Sequence, residues 1–212
     1  MAIKIIQSST LMEDAPVASS FWWGDPDMLI DNEDDFDWPH TIDGTDLLFI
    51  GQINLSDLPF ETPLPKSGLL LFFADIDYFL GNFDAEPCGG IGLWPTDACK
   101  VIYYPADSLN RLSRIHFLDN GEVCTPRARG ITFAETSEHD YDLKLFGQPS
   151  CFEHDDWPEP CVGWQLLLQV DTEEVADHNL RFYDDGLLYF IIDPDDLRIG
   201  RFDRVRAFMY SS

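Results

Sequence analysis

The chain runs through nearly the same order of landmarks twice, and this repetition constrains its fold more than any other feature. From Gly24 the order is Gly-x-Pro, an acidic stretch ending at Trp38-Pro39, the apolar run LLFIGQINLSDL (47–58), then GLLLFFADIDYF from Gly68. From Gly147 it is again Gly-x-Pro, an acidic stretch ending at Trp157-Pro158, WQLLLQVDTEEV (164–175), then GLLYFIIDPDDL from Gly186. Equivalent landmarks keep a nearly fixed offset: 123 residues from Gly24 to Gly147, 117 from Gln52 to Gln169, and 118 from Gly68 to Gly186. The pattern reads as a unit of about 60 residues, plus connections, present twice; such units pack about a pseudo-twofold axis and leave a cleft between them.

Segments 47–55, 68–76, 164–171 and 186–193 are apolar runs of strand length bounded by Gly, Pro or Asp, which reads as strands buried on both faces. LLFIGQIN does not alternate cleanly, as suits a central strand. Residues 100–105 and 204–210 supply a further strand to each half. Ser56 and Thr172 read as N-caps of short helices, and Pro59 stops the first of these. DSLNRLSRIHFL (107–118) reads as the longest helix, capped by Asp107 or Ser108, with Leu109, Leu112, Ile115 and His116 on one face; a strand over 113–118 is the alternative. Residues 1–20 carry a mixed strand or helix signal, and 81–99 and 119–140 read as loops. Gly68 and Gly186 are expected at positive φ. Gln52 and Gln169, each inside an apolar strand, are expected to tie down a neighbouring loop or the other half, because an unpaired buried amide costs about 1–3 kcal/mol.

The expected fold is therefore α+β and β-rich, internally duplicated, with two similar mixed or antiparallel sheet units and few short helices. The expected division is one compact domain over 1–212: repeat one at about 19–105, a connecting helix and loop at 106–142, and repeat two at 143–212.

Hydrophobic residues make up 45% of the 212 residues, so a core is available despite a net charge of −26. That field disfavours nucleic acid and anionic lipid as partners and favours a cationic protein; solubility and adaptation to high salt are the plain alternatives. Five cysteines without framework spacing, no signal-like N-terminus and no run of 18 apolar residues point to a cytoplasmic protein with reduced thiols.

Chemical motifs are scarce. The sequence has no Gly-x-Ser-x-Gly, no phosphate-cradling glycine loop and no His-Glu-x-x-His. Cys151, His154 and Cys161 lack an evident fourth zinc ligand. DNEDDFD (31–37) has carboxylates at alternate positions, but Phe36 and Ile42 stand where an EF-hand needs Gly and Glu. The scattered histidines lie mostly beside acids and read as solvated. Neither a metal nor a cofactor is expected, and no catalytic residue is assigned. The partner-binding candidates are Phe21, Trp22 and Trp23 with Asp31, Glu33, Asp34, Asp35 and Asp37, because tryptophan supplies contact area and acids steer Lys or Arg. Trp38 and Trp157 recur in both halves and read as core covers.

Residues Ser20–Pro26, Trp38-Pro39, LLFIGQINLSDLP, LPKSGLLLFFAD, KLFGQP, WQLLLQVDTEE and DDGLLYFII together resemble the YwqG-like family of uncharacterised bacterial proteins, over about residues 19–210. The chain departs from that family's usual Gly-Gly-x-Pro at Trp23-Gly24-Asp25-Pro26, and from its usual His and Gln at Lys144 and Glu153. The resemblance implies a compact α+β fold of two similar halves. It also implies a place among bacterial toxin–immunity genes. The functional expectation is a non-enzymatic immunity protein that occludes a basic toxin domain. The alternative is a small-molecule or metal-dependent enzyme with its site between the halves.

Overall fold

The computed structural model describes residues 1–12, 15–30, 38–76, 91–119, 122–123, 125–150, 157–175, 178–180, 182 and 186–210. In chain order the strands are β1 (Ala2–Leu11), β2 (Phe21–Trp22), β3 (Asp27–Leu29), β4 (Leu48–Asn54), β5 (Leu69–Ala74), β6 (Gly92–Leu93), β7 (Cys99–Tyr104), β8 (Leu112–Arg114), β9 (Leu118–Asp119) and β10 (Glu122–Val123). They continue with β11 (Arg129–Thr136), β12 (Lys144–Phe146), β13 (Gln165–Val170), β14 (Glu173–Val175), β15 (His178–Leu180), β16 (Leu187–Ile192) and β17 (Arg206–Tyr210). Among the described residues one α-helix, α1, spans Pro194–Arg198, with the Asp193 side chain accepting from the Asp195 N–H at its start.

Eleven strands form a single antiparallel sheet in the order β6-β17-β16-β13-β12-β1-β11-β2-β4-β5-β7. The apolar runs of both halves therefore join one sheet instead of forming two units, and β1 and β11 make the junction. β1 pairs with β11 from Ala2↔Thr136 to Leu11↔Arg129 and with β12 on its other side. The sheet also curls on itself. β6 and β7 are its opposite edges, yet only residues 94–98 separate them in sequence. Trp94 N donates to Ala207 O at 2.9 Å and Asp75 N to Ala98 O at 2.9 Å, so the two edges meet around this short link.

The main core fills the curl. Phe72 of β5 meets Phe190 of β16 with ring centroids 5.5 Å apart, although their strands lie in opposite arms of the sheet. Alternation explains why β5 and β16 are apolar throughout: Leu70, Phe72 and Ala74 face this core, while Leu69, Leu71 and Phe73 face a second cluster. In β16, Leu188, Phe190 and Ile192 point in, and Leu187, Tyr189 and Ile191 face a third cluster. The broken alternation of β4 and β13 has a different cause. Each carries a register shift, between Phe49 and Gly51 and between Leu166 and Leu168, which turns Ile50 and Leu167 into the main core.

Several local expectations are corrected. Residues 106–111 form a 3₁₀ turn and 112–114 a strand paired with β3, so no helix spans 107–118. Pairing with Asp27–Leu29 draws Leu112–Arg114 into extended backbone, and tertiary pairing outweighs the helical spacing of the leucines. Within 119–140, residues 129–136 are a strand, and the mixed signal of 1–20 resolves into the ten-residue β1. Asn54 caps the turn at Leu55–Asp57 by accepting from Ser56 N, so Ser56 is not the cap. Thr172 precedes the strand β14 and caps no helix. Gly68 has φ +117° as expected, whereas Gly186 is required for space: a Cβ there would lie 2.0 Å from Phe182 O. No helix among the described residues is long and apolar enough to cross a membrane.

Candidate functional site

Two buried amides, Gln52 and Gln169, each hold a loop against the sheet. The Gln52 amide oxygen accepts from Asp27 N at 2.9 Å, and its NH₂ donates to Ser19 O at 2.8 Å and to the Asp27 carboxylate at 2.6 Å. The fully buried Asp27 is also held by Arg114 through Nε at 2.6 Å and Nη2 at 3.2 Å. The Gln169 amide oxygen accepts from Ser150 N at 2.9 Å, and its NH₂ donates to Tyr141 O at 3.0 Å and Asp142 O at 2.9 Å. Asp27 and Ser150 each stand three residues after the glycine of a Gly-x-Pro. The residue pairs before those prolines share one backbone form: φ is 58° and 78° at Trp23 and Gly24, and 60° and 80° at Phe146 and Gly147. Both glutamines are thus loop anchors, as expected.

Lys144 stands beside the second anchor. Fully buried, its ammonium donates to Glu138 O at 2.9 Å, Asp140 O at 2.6 Å and Ser150 Oγ at 3.2 Å. Burial pulls its pKa down to about 8, against the upward pull of Asp140, Asp142 and Glu138. A polar tie of another kind joins Asp25, which accepts from Thr125 Oγ1 at 3.0 Å and meets His116 Nδ1 at 2.6 Å.

Phe21, Trp22 and Trp23, expected at a partner surface, are 0%, 1% and 0% exposed. The physical reason is the position of β2 inside the sheet, between β11 and β4, with both faces covered. Trp23 donates its indole N–H to Glu173 at 2.8 Å, and the Arg114 guanidinium lies 4.8 Å from the Phe21 ring centroid. These aromatics are core and offer a partner no area. Asp31, Glu33, Asp34, Asp35 and Asp37 lie outside the described residues, as do Cys151 and His154 of the weighed zinc set; Cys161 is buried. Among the described residues no three His, Cys, Asp or Glu side chains converge as a metal would require. Trp38 covers the second cluster, donating to Leu47 O at 2.8 Å and packing on Phe73 at 5.6 Å.

Two clefts among the described residues bear on function. The first, of about 960 Å³, opens between residues 61–63, the end of β12 and the segment 157–166. Partly exposed Trp157 and Trp164 line it with Val162, 60% exposed, and exposed Glu61, Glu138 and Gln165 sit around them. The amino terminus pairs with Glu138 at 2.8 Å and holds that carboxyl below the usual carboxylate range. Apolar contact area flanked by two carboxylates, Glu61 and the amino-terminus-paired Glu138, suits a cationic, partly apolar segment. Sequence reasoning missed Trp164, Val162, Glu61, Glu138 and Gln165. Trp164 was hidden at the head of a strand motif, and the two acids among 39 Asp and Glu.

The second cleft, of about 740 Å³, lies over the junction of β1 and β11 and reaches β13 and β14. Lys4, Arg127 and Arg129 line it together with Asp142, Asp171 and Glu173, over a floor that includes Trp22, Ile5 and Val170.

A search of curated proteins finds no match to this sequence. The family model described as "Domain of unknown function (DUF1963)" matches residues 24–210, which take in β3 through β17 and residues of both clefts. The chain belongs to the DUF1963 family.

Proposed function

We propose that this protein is a non-enzymatic binding protein that captures a cationic protein partner in the aromatic cleft. One observation carries the reading: Trp157, Trp164 and Val162 present apolar area beside Glu61 and Glu138, in a chain of net charge −26. Tryptophan supplies contact area at a hot spot, while the surrounding carboxylates raise the encounter rate with basic proteins and select against acidic ones. The resemblance to YwqG-like proteins adds the biological setting, that of an immunity protein that neutralises a basic bacterial toxin domain in the cytoplasm. The acidic stretch 31–37 adds to the same field.

The two halves, about 19–105 and 143–212, are read within this proposal as one unit duplicated about a pseudo-twofold axis. Support comes from the paired glutamine anchors, the matched left-handed residues before each proline and the matched register shifts of β4 and β13. On this reading the shared features fold the chain, and the aromatic cleft, built mainly from the second half, distinguishes it.

The test is co-expression with the products of neighbouring genes, followed by co-purification. The expected result is a basic protein that elutes with the chain and leaves it as salt is raised. Recovery of no basic partner, or of one held equally well by Trp157→Ala/Trp164→Ala, would overturn the proposal.

A further inference from the structure

On the duplicated reading proposed above, the aromatic cleft of the second half has a counterpart in the first, and there the chain covers it with its own residues. Gln148 corresponds to Asp25, each following the glycine of its Gly-x-Pro, and Trp157 corresponds to Trp38, each heading its Trp-Pro. The backbone around them matches: Phe21 pairs with Gln52 where Lys144 pairs with Gln169, and a Cβ on Gly24 or Gly147 would lie 2.7 or 2.8 Å from the Cβ of Ala128 or Ala2. In the first half, residues 115–117 lie over the equivalent pair. Ile115 N donates to Pro26 O at 2.9 Å, and His116 Nδ1 meets an Asp25 carboxylate oxygen at 2.6 Å. The Phe117 ring packs on Trp38 with centroids 5.0 Å apart. In the second half the cleft stands at this place, lined by exposed Gln148 and part of Trp157. The covering segment is basic in an acidic chain: residues 108–118 hold Arg111, Arg114 and His116 and no acid, whereas acids outnumber Lys and Arg 39 to 13 overall. It also runs extended, since Leu112–Arg114 pair with β3 and carry Leu112 into the second cluster.

We infer that the partner enters the aromatic cleft as an extended basic segment bearing an aromatic residue, whose ring packs on Trp157 while a neighbouring donor side chain bonds Gln148, as residues 115–117 engage Asp25 and Trp38. This rests on the proposed capture of a cationic partner and names the chemistry that the capture recognises. Aromatic rings at such separations attract beyond the area they bury, and the side-chain oxygen of Gln148 accepts from an imidazole or guanidinium N–H. Glu61, also on the cleft, adds a charge that the segment's basic side chains complement. Val162 and Pro63 supply apolar area for the other side chains of the segment.

The test is calorimetry of the full chain with the terminally blocked peptide NRLSRIHF, which copies residues 110–117. The expected result is binding that weakens at least ~10-fold when the peptide carries Phe117→Ala, and at least ~5-fold when both its arginines are replaced by Glu. Trp157→Ala in the protein should weaken the parent peptide at least ~10-fold. Gln148→Asp, which supplies the carboxylate found in the first half, should tighten it at least ~3-fold, a gain that a misfolded variant cannot mimic. No binding at about 1 mM peptide, equal binding of the Phe117→Ala peptide, or no gain from Gln148→Asp would each overturn the inference. The titration needs no natural partner, so its failure is distinguishable from failure to co-purify a basic protein, which would strike the capture proposal alone.

Discussion

Lys144 is buried with its ammonium on two backbone carbonyls and a serine hydroxyl, and its folded pKa of about 8 lies below the ordinary 10.5. Between those values the unfolded chain holds a proton that the folded chain has released. Stability therefore rises with pH from about 8 to 10.5, by at most about 3 kcal/mol at ~1.4 kcal/mol per unit. Denaturant titrations near pH 7.5 and 10 should show the wild type gaining on Lys144→Met; equal changes in both proteins would contradict this. The glutamine anchors make a second prediction at this scale. Gln52→Leu and Gln169→Leu each strand backbone groups now paired, so each should cost about 2–3 kcal/mol and lower Tm by roughly 4–12 °C. A change of under 1 °C in both would show that the anchors hold nothing. Burial pushes the Cys99 thiol up to about 12 and also raises that of Cys161. Maleimide labelling near pH 8 should spare both cysteines until the chain is unfolded, as read by peptide mass.

At the scale of elements, the register shifts of β4 and β13 decide which side chains reach the core. Deleting Ile50 leaves Phe49↔Phe73 and Gly51↔Phe72 in register but removes the bulge and the fully buried side chain it turns into the main core, so the variant should lose about 2–5 kcal/mol. Ile50→Val, which keeps the bulge, should cost only about 0.5–1.5 kcal/mol. Comparable stability of the deletion and the substitution would refute the role given to the shift. These same elements show what could be read from the sequence. β4, β5, β7, β13, β16 and β17 announce themselves as apolar runs because they lie in the two arms of the sheet, where core covers both faces of most of them. The middle of the sheet was not legible. β1 and β11 carry Lys4, Gln7, Arg129 and Glu135 on partly wet faces, and they pair over more than a hundred residues of sequence. A local pattern contains no information about such a partner. The leucines of 107–118 misled for the converse reason, having helical spacing but a strand partner in β3.

Across the whole molecule, one curled sheet gathers the apolar runs from both ends of the chain around a shared core, with clefts on its outer surface. Net charge pointed correctly to an acidic body, but it could not say where aromatic surface meets it. Trp22 and Trp23 looked available because tryptophan supplies contact area and they occur in one half only; here both rings pack into the main core, with β2 flanked by β11 and β4. Trp157 covers the third cluster, as its recurrence in both halves suggests, and also lines the aromatic cleft, while Trp164 stood unremarked at the head of a strand run. Under the proposed function, this cleft binds a basic protein through those rings and the neighbouring Glu61 and Glu138. Calorimetry of the co-purified partner should be run against the wild type and Trp157→Ala/Trp164→Ala, at salt of about 50 and 300 mM. Removing the two rings should weaken binding at least 10-fold, and both proteins should bind more weakly at the higher salt. Affinity unchanged by either would contradict the proposed function.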